Sequence, residues 1–297
     1  MYCIYHSADL DGIFSGAIVK HFRNDVKLVP YNYGDKLPEF EPNELVVICD
    51  VSLPIEELDL VCKNSYLQTI WIDHHKSAKE TFEAEQENFK YLKYVQTSLD
   101  LTKSGCEQTW EYFFPDIPVP FLVKCIADYD VWRNQDTAFW EGVILPVQYG
   151  CRYFFKKPDE VIYFYEDYDL QEQANYVVQE FASVGNYIWD WTKDSYKSLA
   201  KHKLFTGSII ETGEKCAFIN TPSANSLIFD YIEDKSFDFC VVFSQDKKGY
   251  NFSIYSPFKG LDCSAFARKH GGGGHVGASG FSNSDFTTIF KKDENIY

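Results

Sequence analysis

Leu45-Val46-Val47-Ile48-Cys49-Asp50 is a continuous apolar run closed by an acid. A strand without polar alternation is covered on both faces, the habit of parallel sheets flanked by helices, so this stretch predicts an α/β fold. Pro54 then opens a helix with Ile55, Leu58, Val61 and Cys62 on one face. Leu67 to Ile72 repeats the pattern and ends on Asp73-His74-His75. On the N-terminal side, Met1 to Tyr5 is a short strand that stops at His6-Ser7-Ala8-Asp9-Leu10-Asp11-Gly12, after which Ile13, Phe14, Ala17, Ile18, His21 and Phe22 recur at helical spacing. Val26 to Tyr31 predicts one more strand.

Three strands thus deliver polar residues at their C-terminal ends: His6 with Asp9 and Asp11, then Asp50, then Asp73, His74 and His75. That edge is where open parallel sheets bind ligands. Asp9 and Asp11 flank one residue and project to the same side of an extended loop, although a helix N-cap explains them as well. Imidazole and carboxylate together suit a divalent cation of intermediate hardness such as Mn²⁺. A lone histidine reads more simply as a satisfied core residue; two adjacent ones with matching acids elsewhere read as ligands. Further along, a helix opened by Pro118 or Pro120 runs through Phe121, Leu122, Cys125 and Ile126 into Ala127-Asp128-Tyr129-Asp130-Val131-Trp132-Arg133, bringing two more acids. Trp132 and Arg133 read as core and salt-bridge residues as readily as functional ones.

Residues 80 to 100 are weakly patterned and read as loop, with a short strand at Tyr91 to Val95. Ser104-Gly105 opens a helix to Phe114, and the aromatic-rich stretch from Cys151 to about Phe205 reads as long helices. A joint is expected near 195 to 210, where Lys197, Lys201, His202 and Lys203 cluster. Beyond it, strands are expected at Ser208 to Glu211, Cys216 to Asn220, Phe239 to Phe243 and Phe252 to Ser256, and helices at Ser223 to Ile232 and Asp262 to Lys269. Four consecutive glycines, Gly271 to Gly274, precede His275. Their backbone entropy is costly, and a loop whose N–H groups converge on a phosphate would justify it, with a flexible linker as the plainer reading.

The chain has 297 residues, 45% of them hydrophobic, enough for two cored domains. Its net charge of −16 argues against a long nucleic-acid duplex as ligand, because a basic face normally supplies that affinity. Nine cysteines form no CxxC pair, as expected of reduced thiols, with Cys49 and Cys125 as core fillers. No membrane span or secretory signal is recognised, so a soluble cytoplasmic protein is expected.

In this order and spacing the motifs resemble the DHH phosphoesterase superfamily, in the branch with a DHHA1-type second domain. The first motif resembles His6 to Gly12, the second Asp50, the third Asp73-His74-His75 and the fourth Asp128-Tyr129-Asp130. The second-domain signature resembles Gly271 to His275 with Ala278-Ser279-Gly280, accompanied by Asn220 and Asn225-Ser226. The resemblance implies a parallel-sheet catalytic domain over 1–195, including a helical connector from about 155, and a smaller α/β substrate-binding domain over 206–297. It implies two Mn²⁺ ions, with Mg²⁺ or Co²⁺ as substitutes. His6, Asp9 and Asp50 would hold one; Asp11, the shared Asp50, His74 and Asp128 would hold the other, with Asp130 the alternative to Asp128. Asp73 would orient a histidine and His75 would touch the substrate phosphate. Gly272, Gly273, Gly274, His275 and Arg268 would bind the remote part of the substrate. Relatives often carry an arginine in a Ser-x-Arg-Ser setting where this chain has Ser253-Ile254-Tyr255-Ser256, which shifts that role toward His275, backbone N–H, Arg268 or Lys269.

The implied activity is hydrolysis of a short oligonucleotide, dinucleotide, bisphosphate nucleotide or cyclic dinucleotide, with a homodimer as the oligomer to expect if one forms and without a membrane partner. A RecJ-like exonuclease fits the acidity less well. A pyrophosphatase would not need the glycine-histidine segment. The alternative from another class is a nucleotide-binding regulatory module without turnover, whose mark would be missing ligands.

Overall fold

The computed structural model describes residues 1–65, 68–161 and 170–293. Leu67, the expected first residue of a strand, and 162–169 of the expected helical stretch lie outside the described residues. The chain divides into two compact units, one of Met1–His75 and Lys79–Trp189, the other of Lys76–Ala78 and Asp190–Tyr297.

The first unit is the α/β architecture that the apolar strands predict. Its strands are β1 (Tyr2–His6), β2 (Lys27–Tyr31), β3 (Val46–Cys49), β4 (Thr69–Ile72) and β5 (Gln96–Ser98). They pair in parallel in the order β2-β1-β3-β4-β5. Val46, Val47, Ile48 and Cys49 are all at most 1% exposed, so the unbroken apolar run does mark a strand covered on both faces. The chain leaves β1 for β2 on one side and returns to β3 on the other. The C-terminal ends of β1 and β3 are therefore the point where the strand order switches direction, the place where open parallel sheets bind ligands.

Helices α1 (Leu10–Phe22) and α2 (Ile55–Asn64) follow β1 and β3 as expected. Helix α3 (Lys76–Glu85) occupies part of the stretch that reads as loop. Only Ala78 and Phe82 of its ten residues are buried, so its sequence carries one i,i+4 apolar pair and little else to announce it. The segment expected as a strand at Tyr91 to Val95 is instead a 3₁₀ turn at Leu92–Tyr94, and β5 begins immediately after it on polar residues. Helices α4 (Gly105–Phe113) and α5 (Phe121–Asp130) match the expectation, α4 capped by the Ser104 hydroxyl and α5 preceded by Pro120. A single turn α6 (Thr137–Phe139), a five-residue π turn and α7 (Leu145–Phe154) run on without a break.

Helix α8 (Leu170–Tyr176) passes through a second π turn into α9 (Ser183–Lys203). The basic residues expected at a joint are the last turns of this continuous helix. In the second unit β6 (Leu204–Ile209) follows at once, several residues before the strand expected at Ser208. It joins β7 (Lys215–Asn220), β8 (Phe239–Gln245), β9 (Tyr250–Tyr255), β10 (Gly273–Gly274), β11 (Ala278–Asn283) and β12 (Phe290–Lys292) in a mixed sheet ordered β10-β11-β9-β8-β7-β6-β12. Phe218, Phe252, Phe281 and Phe290 build its core. Ser223 to Ile232, expected as an α-helix, forms a 3₁₀ segment at Ser226–Tyr231.

Helix α10 (Cys263–Lys269) ends as the glycine run begins. Gly271 takes φ 76, and the N–H groups of Gly271 and Gly272 return to the carbonyls of Arg268 and Ala267. This is the Schellman stop, which favours glycine at its left-handed position. Gly273 and Gly274 then pair with Gly280 and Ser279. The first two glycines end a helix and the last two enter a sheet, so the N–H of Gly272 is spent on Ala267 rather than presented to a phosphate. All nine cysteines are buried and unpaired as disulfides. No helix among the described residues is long and apolar enough to cross a membrane.

Candidate metal centre

Strand β1 ends on His6, and Asp9 caps α1 by accepting the Gly12 N–H at 3.1 Å through Oδ1. Asp9 Oδ2 lies 2.9 Å from His6 Nδ1, so the N-cap and ligand readings of this carboxylate are compatible. Asp50 follows β3 and its N–H extends the ladder to the Ile72 carbonyl at 2.8 Å. Its backbone takes the left-handed φ of 56, and its side chain is almost wholly buried. Oδ2 of Asp50 faces His6 Nδ1 at 3.8 Å, while Oδ1 faces His74 Nε2 at 3.1 Å. One carboxylate therefore looks toward two separate donor groups.

His74 gathers the second group. Its Nε2 lies 3.2 Å from Asp130 Oδ2 and 3.5 Å from Asp11 Oδ2. Asp11 is buried and held from behind by the first turn of α4, whose Gly105 and Cys106 N–H groups donate to its two oxygens at 2.6 and 2.9 Å. Two sets of side chains bring their donor atoms within 4.8 Å of one another: His6, Asp9 and Asp50, and Asp11, His74 and Asp130. A third set, Asp50, Asp73 and His75, adjoins them. Asp73 accepts the His74 N–H at 2.8 Å, and the same oxygen lies 2.6 Å from His75 Nδ1, so this aspartate orients His75.

Asp130, not Asp128, stands in the cluster. Residues two apart on a helix project to opposite sides, so only one of the pair can face His74. Asp128 turns toward Arg133, whose guanidinium donates to its Oδ1 at 2.9 Å. Gly105 and Cys106 carry no chemistry that a motif search would notice, and Gly105 matters for its lack of a side chain: a Cβ there would stand 2.6 Å from Cβ of Asp50. The capping pattern Ser104-x-x-Glu107 was the one signal that a helix N-terminus lay here.

The electrostatics fit a cation pair. Burial, reinforced by Asp11 and Asp9, pushes the Asp50 carboxyl well above the usual range, and burial with Asp11 does the same to Asp130. Burial would lower the His6 pKa, but the carboxylates of Asp50 and Asp9 raise it to about 11. Asp130 Oδ2 and His6 Nδ1 are buried and make no hydrogen bond, although each lies near an opposite partner. Close approach without hydrogen-bond alignment is what donors converging on a shared ion require. Four carboxylates and two imidazoles form the N/O set that suits Mn²⁺, Mg²⁺ or Co²⁺, and two divalent ions would cancel the charge of Asp9, Asp11, Asp50 and Asp130.

In the second unit, Arg268 lies in the last turn of α10, and His275 follows β10, its N–H bonded to the Ala278 carbonyl at 2.8 Å.

Among known proteins, an uncharacterized protein of Acanthamoeba polyphaga mimivirus is 25% identical over 95% of this chain and 67% of its own length. A pGpG-specific phosphodiesterase of Vibrio cholerae has 12% identity and a TM-score of 0.46, covering 95% of this chain and 93% of that one. An exopolyphosphatase-related protein of Bacteroides fragilis has 17% identity and a TM-score of 0.40, covering 96% and 86%. Residues 1–128 match the N-terminal domain of the DHH family, a span that holds His6, Asp9, Asp11, Asp50, Asp73, His74 and His75 but not Asp130. Over those residues the chain is similar to the DHH family's N-terminal domain.

Proposed function

We propose that this protein is a metal-dependent phosphoester hydrolase acting on short oligonucleotides or small nucleotides, with two divalent cations, Mn²⁺ first among them. The observation that carries this reading is Asp50, whose two oxygens face His6 on one side and His74 on the other. His6, Asp9 and Asp50 would hold one ion; Asp50, Asp11, His74 and Asp130 would hold the other. When bound, the ions would supply Lewis acidity, lowering the pKa of a water and offsetting charge on the phosphoryl group.

The chain's own residues then position and exclude. Asp73 fixes the ring of His75, which is proposed to contact a phosphoryl oxygen. The α4 N–H groups hold Asp11 in place without taking it out of reach of His74. Burial of Asp50, Asp73 and His74 keeps bulk water from the donors and strengthens every charge interaction there. His275 and Arg268 of the second unit are proposed to recognise the nucleotide part of the substrate.

The test is a panel of dinucleotides, bisphosphate nucleotides, cyclic dinucleotides and pyrophosphate incubated with Mn²⁺ and resolved by chromatography. Wild type is expected to release mononucleotide or nucleoside product from at least one organic ester, and Asp50→Ala to release none. Cleavage of pyrophosphate alone would move the activity away from nucleotides. Tight nucleotide binding with no turnover would replace the enzyme by a binding module.

A further inference from the structure

Arg133 lies just past the motif that supplies Asp130, and three acceptors surround its guanidinium. Nη1 donates to Asp128 Oδ1 at 2.9 Å, and Nη2 donates to Glu107 Oε2 at 2.6 Å and to the Thr102 carbonyl at 2.9 Å. Asp128 belongs to the last turns of α5; Glu107 belongs to the first turn of α4, and Thr102 to the loop that leads into it. The arginine therefore joins the end of one helix to the start of another.

The backbone is shaped to make this possible. The Arg133 N–H reaches back to the Asp128 carbonyl at 2.8 Å, the Trp132 N–H to the Tyr129 carbonyl at 3.2 Å, and Trp132 takes φ 58. This is the same Schellman stop that ends α10, with tryptophan in place of glycine at the left-handed position. The reversal lays Arg133 alongside Asp128.

Both helix ends bear on donors of the same group. Asp130 is the last residue of α5, where a helix frays unless tied down. Asp11 is gripped by the Gly105 and Cys106 N–H groups of the α4 first turn. His74 Nε2 stands within 3.5 Å of both carboxylates, so any slip between α4 and α5 would open this group. The other group shares Asp50 with the first and adds His6 and Asp9 from β1 and the α1 cap, neither of which the guanidinium touches.

We propose that Arg133 is a positioning residue, a clamp that sets the spacing of Asp130 and Asp11 about His74 and so preorganises one cation position and not the other. The inference rests on the two-cation reading given above. Its measurement is Mn²⁺ titration of the full-length chain by calorimetry, with the unfolding temperature recorded in EDTA. Wild type is expected to take two equivalents. Arg133→Met should keep one at wild-type affinity and weaken the other about 10- to 100-fold, as loss of an outer partner of metal ligands typically does. Arg133→Lys, which keeps the charge but loses the planar fork, should fall between them.

The double substitution Glu107→Gln with Asp128→Asn leaves Arg133 in place but removes its charged partners, and should reproduce the selective loss. It also serves as the deciding variant if Arg133→Met does not fold. Two equivalents of unchanged affinity in these variants would overturn the clamp. Equal weakening of both equivalents together with a lowered unfolding temperature in EDTA would overturn it too, since that is a merely structural role. A wild type that binds no Mn²⁺ would overturn the metal reading and the clamp with it; two equivalents in wild type separate the fates of the two.

Discussion

Asp50 combines a left-handed backbone with nearly complete burial. For a residue other than glycine that conformation costs roughly 1–2 kcal/mol, and such strain persists where the surroundings over-determine it. Gly105 is part of those surroundings, because nothing larger fits against the Asp50 side chain. Gly105→Ala is therefore expected to displace Asp50, lowering Mn²⁺ affinity at least about tenfold and costing about 1–3 kcal/mol of stability, read by titration and by thermal melting in EDTA. Asp130→Asn should reduce turnover by about 100-fold or more and Asp128→Asn by about tenfold, since one would remove a donor and the other a partner of the clamp. Equal losses would return Asp128 to the ligand set. His6, Asp9, Asp11, Asp50, Asp73, His74 and His75 were legible in the sequence because they close apolar strands or open the helix that follows one. The choice between Asp128 and Asp130 was not, because it depends on the rotation of α5 about its axis, which side-chain packing sets. Gly105 and Cys106 act through backbone N–H, which every residue but proline carries, and so leave no mark in composition.

Among the elements, buried strands announced themselves and polar ones did not. Strand β3 is apolar throughout, whereas β5 is Gln96-Thr97-Ser98 and is fixed by pairing with β4. The ends of α5 and α10 show one backbone solution with two side chains. At α10 the glycine after the left-handed one is also constrained, since a Cβ on Gly272 would stand 2.0 Å from the Gly280 carbonyl oxygen. Gly272→Ala is expected to loosen the β10–β11 hairpin at a cost above about 2 kcal/mol, seen as faster amide exchange at Gly280 and Phe281. Unchanged protection there would show that the hairpin tolerates the methyl group. The glycine run looked like a phosphate loop because four glycines in a row have one obvious use; helix stop and tight pairing, in succession, are a second.

At the scale of the whole molecule, the clustered acids are a small part of a net charge of −16, yet they are the part that water cannot screen. Saturating cation should therefore be visible as stability. At about 100 times Kd, one bound ion adds about 2.7 kcal/mol, which for a unit of this size raises the unfolding temperature by about 5–10 °C. EDTA should reverse the rise and Asp50→Ala should abolish it; an unchanged melt with Mn²⁺ would count against the centre.

The donors are scattered along the chain, from His6 on the first strand to Asp130 at the end of α5. During synthesis at about 5–20 residues per second, the first donor waits about 6–25 seconds for the last. In that interval the nascent chain holds several carboxylates with no assembled partner and a parallel sheet whose pairings are all long-range, the slow kind to form. Cation capture would then be a late event that locks a finished unit, and the supply of metal would decide how much newly made protein survives to become active.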